Sequence, residues 1–208
     1  MKQVVGPVDL LNRHTSVFEE ARIVHGLDEQ NHDDFERYWQ PMLQARRAQF
    51  SDNGAACAGN VQDWHWDWIF ESYKAQRTLG YDTFGIECGG RTQALMVVDS
   101  NQFAMHPAQQ GKELVHIARL ATAPWNRTKT VESPKYKGAG RALVATAVSL
   151  SIELEFGGRV GLHALPQSED WYCRCGFVEV ADPNPKNTLK YFEMTADAAA
   201  TFLQEGEL

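Results

Sequence analysis

The chain has 208 residues, 43% of them hydrophobic and 23% charged, with a formal net charge of −7. That is the composition of an ordinary soluble globular protein, and the length allows a sizeable core. The acidic balance disfavours nucleic-acid partners, which call for a basic face, and no apolar run reaches the roughly 20 residues of a membrane span.

The start, Met1-Lys2-Gln3-Val4-Val5-Gly6-Pro7-Val8-Asp9, lacks the apolar stretch of a signal peptide, so a cytoplasmic protein is expected. Val4 to Leu11 reads as an irregular strand interrupted by Gly6-Pro7. The remainder of the first eighty residues reads as helix-rich. From Asp33, apolar residues recur at Phe35, Tyr38, Trp39, Met42 and Leu43, a helical period, and Pro41 is expected to kink or split that helix. Ser51-Asp52-Asn53-Gly54 is a turn cluster. Asn60 is a candidate cap for a second helix ending at Gly80, although Trp64, Trp66 and Trp68 alternate as they would in a strand. These tryptophans suit either core packing or an aromatic wall.

Thr83–Glu87 and Gln93–Val98 flank Gly89-Gly90 and read as a hairpin. Glu113 to Ala121 is apolar on both alternating faces, which marks a central strand. A helix follows from about Ala139 to Glu155, apolar at 143, 144, 147, 148, 150, 152 and 154, and Gly157-Gly158 stops it. Arg159–Leu165 is a short strand, Gln167–Cys175 a short helix, and Phe177–Val180 and Thr188–Met194 a strand pair. The later half is therefore β-α-β-α-β-β, with parallel pairing across the first helix. With no repeat and no linker, a single domain over 1–208 is expected. Cys57, Cys88, Cys173 and Cys175 have neither disulfide-scaffold density nor metal-ligand spacing, so reduced thiols and no metal site are expected.

Gly138 and Gly140 stand at the mouth of the long helix, with Lys135, Lys137 and Arg141 around them. Helix-start amides are unpaired and sit at the positive end of the macrodipole. Glycine keeps Cβ atoms away from a phosphate approaching those amides. A Walker A loop is excluded because Gly140-Arg141-Ala142 lacks the Lys-Ser/Thr step. A dinucleotide fingerprint is excluded because position 143 is Leu.

Three pieces in order resemble the GCN5-related N-acetyltransferase superfamily. Lys135-Tyr136-Lys137-Gly138-Ala139-Gly140 is similar to its pyrophosphate motif, with Lys in the first slot. Leu120-Ala121-Thr122-Ala123-Pro124 is similar to its strand ending, and Tyr172-Cys173-Arg174-Cys175-Gly176-Phe177 to its later helix ending. The resemblance covers roughly Leu114 to Met194, and "APWNR" and "GLHALPQ" resemble uncharacterised bacterial members. The chain departs from the pattern in the additional residues 126–134 and in Leu165-Pro166-Gln167, where the family often has an asparagine.

The resemblance implies a three-layer α+β fold, with a mixed, mostly antiparallel sheet between helices and a splayed parallel strand pair that binds acetyl-CoA. Residues 1–110 would form the helix-rich acceptor side and first strands, and 111–195 the acetyl-CoA core. Backbone at Leu120 and Thr122 would hold the pantetheine arm. Lys135, Lys137, Gly138, Ala139, Gly140 and Arg141 would hold the phosphates. Tyr172 would assist the leaving thiolate. His116, at an offset where relatives keep a Glu or His, is the candidate base, with Glu87 and Glu71 as rivals and His163 read as structural. The implied function is N-acetyltransfer to an amine-bearing small molecule or protein, by a monomer or homodimer. A non-catalytic acyl-CoA sensor and an aminoacyl-tRNA-acetylating toxin are the alternatives, and the acidic charge disfavours the second.

Overall fold

The computed structural model describes residues 2–51, 61–184 and 186–206. Cys57, Asn60 and all but the first residue of the Ser51–Gly54 cluster lie outside them. Among the described residues no helix is long and apolar enough to cross a membrane.

The predicted first strand is present as β1 (Gln3–Asn12), and Gly6 does not end it. The ladder with the next strand shifts register between Val4 and Gly6, which absorbs the irregularity as a bulge. A second strand, β2 (Val17–His25), completes a hairpin where the sequence suggested helix. Glu19-Glu20-Ala21-Arg22 are good helix formers, but Ala21 and Val24 find buried places in the sheet, and pairing on both edges overrides propensity.

The helix expected from Asp33 starts earlier. Asp28 and Asn31 exchange the two hydrogen bonds of a capping box and open α1 (Glu29–Asp34). A π-helical turn follows at Phe35–Trp39, then α2 (Gln40–Ser51). The anticipated effect of Pro41 is visible here. Proline has no N–H, and its ring crowds the carbonyl four residues back. The widened turn, in which the Gln40 N–H reaches Phe35 O, relieves that crowding without ending the helical path.

The next helix is shorter than predicted. Residues 61–67 are turns, and α3 (Trp68–Ala75) begins where the Asp67 carboxylate accepts from the Phe70 N–H at 2.9 Å. Trp64 and Trp66 therefore sit in the turn, and only Trp68 is helical and buried.

β3 (Tyr81–Cys88) and β4 (Arg91–Phe103) flank Gly89-Gly90, both at positive φ as a tight hairpin turn requires. Then come β5 (Glu113–Thr122), β6 (Tyr136–Lys137), α4 (Ala139–Glu153), β7 (Val160–Ala164), α5 (Glu169–Arg174), β8 (Val178–Val180), β9 (Lys190–Met194) and α6 (Ala196–Gln204). The apolar stripe of α4 is narrower than expected. Leu143, Val144, Ala147 and Val148 are buried, whereas Ile152 and Leu154 are exposed.

The strand order is β6-β1-β2-β3-β4-β5-β7-β9-β8. β5 and β7 run parallel, with Val115 opposite Val160, His116 opposite Gly161 and Ile117 opposite Leu162. The described ladders at β1–β2, β1–β6, β2–β3, β7–β9 and β8–β9 are antiparallel. The fold is thus the expected α+β type, a mixed sheet that includes a parallel pair, flanked by helices.

The chain divides into two compact units. The first comprises residues 1–97 and 119–143, and the second 98–118 and 144–208. β4, β5 and α4 contribute residues to both.

Candidate functional site

In the first unit, β5 ends in a short 3-10 turn, Pro124-Trp125-Asn126. From there the additional residues make an excursion with a closed neck. The Lys135 N–H donates to Trp125 O at 2.9 Å, and the Tyr136 N–H donates to Asn126 Oδ1 at 2.9 Å. Gln93 Oε1 accepts from both Trp125 Nε1 and Asn126 Nδ2 at 2.9 Å, and the Ala123 N–H donates to Gln93 O at 2.8 Å. Residues 126–134 therefore do more than lengthen a loop. They deliver Tyr136 and Lys137 to the sheet edge as β6, which pairs Lys137 with Leu11 and Tyr136 with Asn12 on β1.

The glycines follow at once, and they differ. Gly138 has φ +111°, a conformation in which any side chain is strained. Crowding is not the reason, because a Cβ there would meet Leu10 and the Asp9 carbonyl only at ordinary contact distance, 3.6 and 3.8 Å. Gly140 is the second residue of α4 and adopts a helical conformation. The first bond of the helix runs from the Ala142 N–H to Gly138 O at 2.9 Å, so α4 opens immediately after the turn. Lys137 and Gly138 are exposed, Lys135, Gly140 and Arg141 half-buried, and Ala139 buried. Lys135 Nζ lies 4.7 Å from the centre of the Tyr136 ring.

A side-chain latch holds this turn. The Tyr136 hydroxyl donates to Glu19 Oε2 at 2.6 Å, and Asn12 Nδ2 donates to Glu19 Oε1 at 2.6 Å. The Tyr136 hydrogen bond and then that of Asn12 hold the Glu19 carboxyl below its usual range. Burial, then the bond to Glu19, push the Tyr136 phenol well up, and burial pushes the Cys88 thiol up beside it. The latch therefore keeps its protonation state through the neutral range.

Leu120 and Thr122, the expected pantetheine contacts, are half-buried at the end of β5. The Thr122 carbonyl accepts from Arg127 Nε at 2.7 Å. The rival bases of this unit are engaged. Glu87 is buried and meets Lys2, Arg22 at 3.1 Å and Asn31 at 2.9 Å. Glu71 pairs with Arg119 at 3.3 Å.

Tyr172 and His116 belong to the second unit. Tyr172 is buried on α5 between Trp171 and Phe177, with ring centres 4.9 and 5.5 Å away. Burial, with a smaller contribution from Cys175, raises its pKa well above the phenol range. His116 Nε2 lies 3.2 Å from His163 Nδ1, and His163 Nε2 lies 2.9 Å from Asp182 Oδ2. Burial and then His163 push His116 down to about 4, against the opposing charge of Asp99.

That shift has a consequence for stability. An unfolded histidine titrates near 6.5, so below that pH the unfolded chain takes up a proton that folded His116 refuses. The associated stability is complete above about pH 6.5 and is lost as pH falls towards 4, to an extent of no more than about 3 kcal/mol at about 1.36 kcal/mol per unit. Urea midpoints are expected to fall between pH 7 and pH 4.5, and His116→Gln to flatten that fall. Parallel curves for the two proteins would contradict it.

Sequence reasoning missed Arg127, Asp182, Asn187 and Glu19, polar residues that each have a partner 19 or more residues away. It also missed α6, although Thr195 caps it through an Ala198 N–H bond at 3.3 Å and an alanine-rich run follows. That cap was the available signal.

No family model matches the chain, and no curated protein matches its sequence. Solved structures do match. FeeM, an N-acyl amino acid synthase from uncultured soil microbes, is 12% identical with a TM-score of 0.52, over 97% of this chain and 98% of that one. A GCN5-related N-acetyltransferase from Ralstonia eutropha JMP134 is 21% identical with a TM-score of 0.47, over 80% and 98%. The PaiA N-acetyltransferase of Thermoplasma acidophilum, solved with coenzyme A, is 12% identical with a TM-score of 0.48, over 83% and 98%. The likeness to FeeM extends over nearly the whole of both chains and is one of fold.

Proposed function

We propose that this chain is an acyl-CoA-dependent acyltransferase, and specifically an acetyl-CoA-dependent N-acetyltransferase acting on a primary amine of a small molecule or protein by direct attack in a ternary complex. One observation carries the reading: the glycine at φ +111° that turns an edge strand into the start of α4, among Lys135, Lys137 and Arg141. Helix-start amides and the macrodipole stabilise a diphosphate, and the three cations add to that. The latch on Tyr136 gives such a turn a fixed shape before the ligand arrives, which lowers the cost of binding.

The remaining roles follow the chemistry. Backbone at Leu120 and Thr122 holds the pantetheine arm, and an N–H near Leu120 polarises the thioester carbonyl. Tyr172 keeps its proton at neutral pH, as a hydrogen-bond donor to a departing thiolate must. A thiol of pKa about 8.5 is the weaker base of the two, so Tyr172 stabilises the thiolate by hydrogen bonding without surrendering its proton completely. An alkyl amine of pKa about 10.4 costs roughly 4–5 kcal/mol to deprotonate at pH 7, so proton removal needs help, and His116 supplies it.

Calorimetric titration with coenzyme A tests the phosphate site. Release of free thiol then tests turnover, over a panel of amines that includes amino acids, in view of FeeM, and acyl-CoAs of several chain lengths. Tyr172→Phe is expected to lower kcat about a hundredfold, the low end for an acid acting on a good leaving group, with little change in KM for acetyl-CoA. Tight coenzyme A binding with no thiol release on any amine would make the chain an acyl-CoA-binding module. Absence of binding would sink both readings.

A further inference from the structure

We infer that His116, His163 and Asp182 form a directional proton relay, in which Nδ1 of His116 takes the acceptor's proton and His163, beside Asp182, carries the resulting charge. The inference rests on the acyl-transfer reading and adds to it the accepting atom and the resting place of the proton.

All parts lie within the second unit. His116 is on β5, opposite Gly161 of β7 in the parallel ladder, and His163 is two residues further along β7, on the same face as Gly161. On the other side, His163 pairs with Tyr191 of β9. The three rings form one cluster. His163 and Tyr191 have centres 4.9 Å apart, and Tyr191 stacks on His116 at 6.3 Å with an interplanar angle of 11°. Gly161 makes this possible, since a Cβ there would overlap the Tyr191 hydroxyl. A loop after β8 brings Asp182 to the far nitrogen of His163.

Hydrogen-bond polarity then orients the chain. The His163 and Asn187 side chains hold Asp182 far down, at about 2, so it is a carboxylate and can only accept. His163 Nε2 must therefore carry the hydrogen. Asn187 Nδ2 donates to the same Asp182 oxygen at 2.5 Å and stands 3.1 Å from His163 Nε2, as two donors sharing one acceptor do. A neutral imidazole has one donor and one acceptor, so His163 Nδ1 is a lone pair. It faces His116 Nε2 at 3.2 Å, which must then donate. His116 Nδ1 is left as the basic nitrogen.

The relay resolves a difficulty. His116, half-buried and pushed down to about 4, is a poor resting place for a proton taken from an amine. During attack the amine nitrogen forms the C–N bond and gives its proton to His116 Nδ1. The Nε2 proton of His116 passes to His163 Nδ1, and the C–S bond breaks to release the thiolate. His163 keeps its Nε2 hydrogen on Asp182, so the charge ends as an imidazolium–carboxylate pair and then leaves to solvent. The titratable groups facing the relay are Asp99 on β4, which favours a positive His116, and Tyr191 on β9. Tyr191 is held neutral by burial and by Glu193.

Two measurements test the relay. Long-range proton–nitrogen NMR on the uniformly labelled protein reads each histidine's tautomer and needs no substrate. The expected result is hydrogen on Nε2 of both His116 and His163 near pH 7.5. Turnover, with an amine found in the panel above, gives the second arm. His163→Asn is expected to lower kcat about a hundredfold. Asp182→Asn removes the carboxylate that favours a proton on the pair, so the acid limb of kcat/KM is expected to move to lower pH. Coenzyme A affinity should stay unchanged in both variants. A His116 protonated on Nδ1, or pH profiles identical to wild type in both variants, would overturn the relay and leave the transfer reading standing. Failure of the unaltered protein to bind coenzyme A would instead remove the transfer reading that the relay serves.

Discussion

Gly138→Asp is expected to weaken coenzyme A binding by about 30- to 1,000-fold. Two effects act together. The first is conformational. At φ +111° a side chain costs on the order of 1–3 kcal/mol, although space for the Cβ exists. The second is electrostatic. A carboxylate about 4 Å from a phosphate charge is repelled by about 4 kcal/mol at an effective dielectric of 20, less after screening, so about 2–4 kcal/mol is a fair range for the loss. At 1.4 kcal/mol per factor of ten, this gives the stated range. Gly138→Ala separates the two effects, since it introduces the strain without the charge. It should lower the melting temperature as much as the aspartate does, yet retain much more of the affinity. Calorimetry with coenzyme A reads both variants, and equal affinity for wild type and Gly138→Asp would move the phosphate site elsewhere.

The motif that suggests this experiment was legible in the sequence, but its cause was not. Two glycines at a helix mouth read alike on paper. Only Gly138 needs the left-handed backbone, because β6 must leave the edge of β1 and enter α4 within one residue. The elements that were legible are those whose burial is continuous or strictly periodic. β5 has buried residues on both faces, Leu114 on one and Val115, Ile117 and Ala121 on the other, α4 buries Leu143, Val144, Ala147 and Val148 as two adjacent pairs one turn apart, and the β3–β4 hairpin turns on a glycine pair. β2 was hidden because its charged residues favour helix and only Ala21 and Val24 of it are buried. β6 was hidden because two residues carry no period.

The same logic divides the site. Tyr172 and His116 stood at recognisable offsets, whereas His163 was read as merely structural. The relay proposed for it depends on partners 47 and 19 residues away, and no local pattern encodes such distances. The buried carboxylates behave likewise. Glu87 looked like a base on a strand, but its partners come from Lys2, Arg22 and Asn31, and only the folded sheet reveals that it is engaged.

Arg127 shows the cost of such hidden pairing, and replacing it should have the largest effect on stability. Its Nη1 reaches both oxygens of Asp63, at 3.0 and 2.8 Å, while Nε holds the Thr122 carbonyl at 2.7 Å. The two side chains are 14% and 5% exposed, so water screens the pair little. Arg127→Met leaves the Asp63 carboxylate buried without this guanidinium, and breaking a buried pair in this way typically costs about 3–5 kcal/mol. That is a large part of the roughly 5–15 kcal/mol of an ordinary domain. Arg127→Lys should recover little, because an ammonium cannot span two carboxylate oxygens and a carbonyl in one plane. Arg127→Met combined with Asp63→Leu should recover much of the loss, since both charges are then gone. The functional consequence follows from Thr122. Asp63 anchors the turn that carries Trp64 and Trp66, and Arg127 ties that turn to the end of β5, where the pantetheine arm is proposed to lie. Loosening the tie should raise KM for acetyl-CoA more than it lowers kcat. Urea unfolding reads the first effect and steady-state thiol release the second. An Arg127→Met protein as stable as wild type would show that Asp63 draws its stabilisation from elsewhere, and the proposed link between the tryptophan turn and β5 would fall with it.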